Sequence, residues 1–113
     1  MVKIEVGEAY MTGAKHLALV YSYQPDQFPA DYKYPKHAYQ AMLIRKSERT
    51  TFMETFTEAG MYASGPSIYD VVREATLEEL YEYISENKSQ LCEPVNAKYL
   101  KSFYKVWKEK NPL

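Results

Sequence analysis

The sequence predicts an α+β fold, an antiparallel sheet of four or five strands followed by two C-terminal helices packed on one face. Three observations predict it. Apolar runs of strand length and strand period fill the first half of the chain, helical spacing becomes clear only from Thr76, and the connections are short apart from one at residues 24–37. At 113 residues the chain suits a single globular domain over residues 1–113 with one core.

Each element has its own justification. Val2, Ile4 and Val6 alternate with Lys3 and Glu5, the period of a half-buried strand, and Gly7 marks a bulge or its end. A turn at Thr12-Gly13 leads into HLALVYSY, where Leu17, Leu19, Tyr21 and Tyr23 share one face while Ala18 and Val20 make the other apolar, as in a central strand. AYQAMLIRK is again apolar on both faces. Ser47-Glu48 supplies a polar turn, and TTFMETFTE places Phe52 and Phe56 opposite Thr51, Met53, Thr55 and Thr57, so the two runs form a hairpin. AGMYASGPS is a loop, without the glycine spacing of a phosphate cradle. SIYDVVREAT suits either a fifth strand or a short helix opened by Ser67 and Asp70; the paired valines favour the strand. Thr76 and Glu79 form a capping box ahead of Leu77, Leu80, Tyr81 and Ile84, which predicts a helix to about Asn87. Pro94 interrupts, Asn96 caps a second helix with the stripe Leu100, Phe103 and Trp107, flanked by Tyr99, Tyr104 and Val106, and Asn111-Pro112 stops it. If strand order follows the chain, the first strand lies at an edge, which leaves monomer and homodimer both open.

Composition narrows the rest. Ile, Leu, Val and Phe are scarce enough that several of the twelve tyrosines must help fill the core, each buried hydroxyl needing a hydrogen-bond partner. The one cysteine, Cys92, excludes an internal disulfide framework, reads as a small buried apolar residue and points to a reducing, cytoplasmic compartment. MVKIEVGEAYM has no uninterrupted apolar run and is neither a signal peptide nor a membrane span, so no membrane partner is expected.

No catalytic residue, metal ligand set or cofactor motif is assigned. His16 and His37 lie far apart without a motif around either, and two histidines with one cysteine, none at ligand spacing, do not make a zinc site. Acidic pairs such as Glu78 with Glu82 and Glu54 with Glu58 read as solvated faces. The C-terminal third is polarised: residues 74–93 are strongly acidic, whereas Lys98, Lys101, Lys105 and Lys108 fall on one side of the last helix, opposite its apolar stripe. Their simplest role is to pair with the acidic helix across solvent edges. The alternative is nucleic-acid binding through phosphates, against which the whole-chain charge of −1 argues.

The most distinctive stretch is YSYQPDQFPADYKYPKHAYQ, residues 21–40. Pro25, Pro29 and Pro35 remove three backbone donors and exclude a regular strand or helix from about Gln24 to Lys36. A loop this long is usually functional or disordered, and Phe28, Tyr32 and Tyr34 are rare in solvated linkers. The rings either fold back on the core or face a partner. Tyr21, Tyr23 and Tyr39, in the flanking strands, are assigned to structure; Phe28, Tyr32, Tyr34 and His37 are assigned to a protein partner. The expected function is therefore a non-enzymatic protein-binding module, an inhibitor or adaptor. A weak nucleic-acid binder using the lysine helix comes second, and a small enzyme or small-ligand domain third.

Overall fold

The computed structural model describes residues 2–46 and 50–112, so the expected Ser47-Glu48 turn lies outside the described residues. Five strands, β1 (Ala9–Thr12), β2 (Leu17–Tyr23), β3 (Tyr39–Arg45), β4 (Thr50–Phe56) and β5 (Val71–Glu74), form one antiparallel sheet in the order β4-β3-β2-β1-β5. The first four meander, and β5 returns to pair with β1. Helices α1 (Leu77–Glu86), α2 (Lys88–Leu91) and α3 (Pro94–Lys110) follow, as an α+β order requires.

The helices cover one face. Leu17 and Leu19 of β2, Met42 and Ile44 of β3, and Ala9 and Met11 of β1 pack there with Leu80, Tyr83, Leu91 and Phe103. The second face carries Tyr10, Ala18, Val20, Ala41, Leu43 and Phe56, and Ile4 closes over it. Both faces are therefore buried, which explains why β2 and β3 are apolar at successive positions.

Ile4 belongs to the segment expected to be the first strand, and here the structure differs. Residues 2–6 form no strand; the Ile4 N–H donates to the Glu58 carbonyl at 2.9 Å and the Gly7 N–H to the Val20 carbonyl at 2.8 Å. The alternation is genuine, with Ile4 fully buried and Lys3 and Glu5 exposed, but it lays one apolar side against the second face of the sheet. Period two reports one buried side and cannot tell a ladder strand from an extended cover. The sheet edges are β4 and β5, so edge pairing through VKIEV has no strand to use.

A bulge in β2 corrects a second expectation. The register with β3 shifts between Val20 and Ser22, which makes Tyr21 the extra residue and turns Tyr23 to the second face. Tyr21 thus packs on Tyr99 of α3 with centroids 4.8 Å apart, and Tyr23 stacks on its cross-strand partner Tyr39 at 4.5 Å.

The region 67–75 is a strand only over Val71–Glu74. The Ser67/Asp70 signal belongs to a turn, in which the Asp70 carboxylate accepts from Ser67 N–H at 3.0 Å and Tyr62 N–H at 2.8 Å. The Thr76 capping box forms as expected, Glu79 N–H donating to Thr76 Oγ1 and Thr76 N–H to Glu79 Oε1. α3 starts earlier than expected. Pro94 opens it behind Glu93, a position that suits proline's fixed φ and missing N–H. Asn96 lies inside the helix instead of capping it, and its side-chain amide donates to the Gln90 carbonyl at 2.8 Å. Cys92 is exposed, not buried, because the link between α2 and α3 turns it outward.

The two tyrosines that are fully or nearly fully buried satisfy their hydroxyls. Tyr83 donates to the Lys15 carbonyl at 2.7 Å, and Tyr10 accepts the Glu5 N–H at 2.9 Å.

Candidate functional site

Between β2 and β3 the chain leaves the sheet and returns through one closing hydrogen bond, from Gln24 N–H to the Ala38 carbonyl at 2.7 Å. Pro25 starts a single 3-10 turn, Pro25–Gln27, which ends as the Phe28 N–H donates to the Pro25 carbonyl at 3.2 Å. A second turn follows, with Tyr32 N–H bonded to the Pro29 carbonyl at 3.0 Å. Both turns begin at proline, whose φ is already set, so the loop is shaped locally without help from the core.

These turns bring the expected partner-facing rings together. Phe28 and Tyr32 lie 4.9 Å apart between centroids, and Tyr32 and Tyr34 meet edge to face at 5.9 Å. None of the three joins either core cluster. Tyr34 is 73% exposed and Tyr32 37%, while Phe28 is half-buried against its neighbours. His37 is half-buried at the loop's return, next to the closing hydrogen bond. Of the flanking tyrosines, Tyr21 and Tyr39 pack on the two cores, and burial raises the pKa of both phenols. Tyr23 is half-exposed, so the Tyr23–Tyr39 stack carries aromatic surface from the sheet toward the loop.

The lysines of α3 behave differently from their simplest expectation. Among the described residues no ion pair joins a glutamate of α1 to a lysine of α3. The acidic helix is matched instead by cations from the sheet: Lys46 bridges Glu82 and Glu86, and Arg73 grips Glu79 through Nη1–Oε1 at 2.7 Å and Nη2–Oε2 at 2.8 Å. The reason is position. β3 and β5 deliver Lys46 and Arg73 beside α1, whereas the lysine stripe points away from the sheet that α3 covers. Lys98, Lys101, Lys105 and Lys108 line one open depression of about 620 Å³ with Ser102, Tyr104 and Glu109.

A third grouping has no local signal in the sequence. On the second sheet face a recess of about 300 Å³ is lined by Arg45, Phe52, Glu54, Tyr62 and Tyr69. The Arg45 guanidinium stands 4.4 Å over the Phe52 ring, and His16 packs between Phe52 and Tyr69 at 5.5 and 5.7 Å. These residues come from β2's start, β3, β4 and the loop before β5, and only the sheet register assembles them. Among the described residues no group of three His, Cys, Asp or Glu side chains is placed to hold a metal ion. No helix among them is long and apolar enough to cross a membrane.

No protein-family model matches the chain, and no curated protein or solved structure is significantly similar to it.

Proposed function

We propose that this chain is a non-catalytic module that binds another protein through the 24–37 loop, with Phe28, Tyr32 and Tyr34 as its anchors and His37 at the rim. The observation that carries the reading is that the three rings pack on one another and on neither core. Exposed rings of this kind offer large, rigid contact area at low entropic cost, and two proline-initiated turns hold them before any partner arrives. The role as inhibitor or adaptor belongs to the same proposal: such a module acts by occupying a surface.

The test starts with capture of a partner from the native host, followed by titration of that purified partner against single alanine variants. Tyr32→Ala and Tyr34→Ala are expected to lower affinity about thirtyfold each, as anchors worth about 2 kcal/mol do, while their melting temperatures stay near that of the parent. Phe28→Ala is expected to lose as much binding with a small loss of stability. Unchanged affinity in all three variants would reject the loop as the site. So would a destabilisation of about 3 to 5 kcal/mol in each, the cost of removing a core aromatic.

A further inference from the structure

Several exposed charges stand outside the ion pairs among the described residues, and those on the outer face of α3 are aligned. At 3.6 residues per turn Lys98, Lys101, Lys105 and Lys108 fall within an arc of about 80° and extend ~15 Å along the axis. They form a row, not a patch. Among the described residues none of the four is in an ion pair; Lys98 alone has a further neighbour, its Nζ lying 5.9 Å over the Tyr99 ring. One carboxylate, Glu109, borders the depression, and the nearby Lys110 turns aside to Glu8 at 3.9 Å.

Tyr104 stands beside the row. Its ring is 52% exposed and stacks on Trp107, with centroids 5.7 Å apart and planes 27° from parallel. Trp107 is itself packed against the helix-face core. A tyrosine held from behind by a core tryptophan, next to a line of ammonium groups, combines the two elements that bind a single-stranded nucleic acid: cations along the backbone and a platform for a base. A protein partner fits less well. Protein interfaces are depleted in lysine, and four of the seven residues that line this depression are lysines. A duplex would meet the lysines but keep its bases from Tyr104.

We infer that the outer face of α3 is a short binding site for single-stranded RNA or DNA, with Lys98, Lys101, Lys105 and Lys108 on the phosphates and Tyr104 stacking on one base. The net charge of −1 is a sum over the whole chain and does not describe this face, because α3 itself carries five lysines against one glutamate. It does make the affinity modest. The row covers about four nucleotides, the small end of such sites.

Fluorescence anisotropy with a labelled uridine or thymidine decamer tests this, using the full chain at 50 and 200 mM KCl. With about three phosphates neutralised, affinity is expected to fall roughly twentyfold between those salt concentrations. Lys101→Glu with Lys105→Glu is expected to abolish binding, and Tyr104→Ala to weaken it about fivefold or more, with melting curves confirming that each variant is folded. A hairpin duplex of the same length is expected to bind several-fold more weakly. Absence of decamer binding at 50 mM KCl by the folded parent overturns the inference. Equal binding of polyglutamate and decamer, with Tyr104→Ala indifferent to both, also overturns it and assigns the face to acidic protein segments. A duplex preferred over the single strand overturns the stacking role.

Discussion

Gly7 joins three parts of the molecule, and replacing it with alanine measures how firmly they are held. Its φ of +84° lies in the left-handed region, where a side chain costs about 1 to 2 kcal/mol. A Cβ there would sit 2.4 Å from Val106 Cγ1, 2.8 Å from Val106 Cβ and 3.1 Å from the Trp107 backbone nitrogen. The methyl has nowhere to go. α3 must shift outward or the 2–6 segment must lift from the second face, and overpacking of this kind adds about 1 to 3 kcal/mol. Together the two costs come to about 3 kcal/mol, or a fall in melting temperature of about 12 °C for a domain of this size. Thermal melts followed by circular dichroism read this directly. Gly65→Ala is the control: no atom lies within 4 Å of its Cβ position and its φ is not in the left-handed range, so its melt should stay within about 0.5 kcal/mol of the parent. Val106→Ala combined with Gly7→Ala relieves part of the overpacking, because it removes the nearest atom, Cγ1 at 2.4 Å, while the Cβ at 2.8 Å and the backbone strain remain. The pair should be less destabilised than the sum of the singles by about 1 kcal/mol or more. A Gly7→Ala melt within about 2 °C of the parent, or strict additivity with Val106→Ala, would refute the contact between the N-terminal turn and α3.

Two further predictions concern pH. Glu79 is held near a pKa of about 2, first by the Arg73 guanidinium and then by the Thr76 N–H, against an ordinary 4.5. Its contribution is therefore present above pH 4.5 and lost as pH falls through about 2; Glu79→Gln should flatten acid unfolding in that window, and because the pair is partly solvated the loss at neutral pH should be about 1 kcal/mol. Burial pushes the Tyr10 phenol from 10 up to about 12, so the stability it supports is complete below pH 10 and lost as pH rises through 12. Tyr10→Phe should remove that alkaline limb while costing about 1 kcal/mol at neutral pH, since the Glu5 N–H loses its acceptor. An unchanged alkaline midpoint in Tyr10→Phe would place the limb on another group.

The sequence by itself determined what depends on neighbours along the chain. The Thr76/Glu79 capping box, the α3 stripe of Leu100, Phe103 and Trp107, the β3–β4 hairpin and the proline-shaped loop are all encoded within one or two turns of backbone, and each forms where its residues predict. The lysine row was legible for the same reason, because helical spacing is a local property. Only the tertiary structure decided where these pieces meet. Residues 2–6 have strand period yet serve as a cover, since whether an extended segment pairs or packs depends on which sheet face lacks a lid. One bulge at Tyr21 moves Tyr23 across the sheet, and no residue type at that position announces it. The pairing of Glu79, Glu82 and Glu86 with Arg73 and Lys46, which leaves Lys98, Lys101, Lys105 and Lys108 to solvent, follows from strand order, as does the recess of Arg45, Phe52, Tyr62 and Tyr69. Exposure of Phe28, Tyr32 and Tyr34 was open in the sequence for the same physical reason: burial is a relation between distant segments, and a ring's own chemistry suits both outcomes.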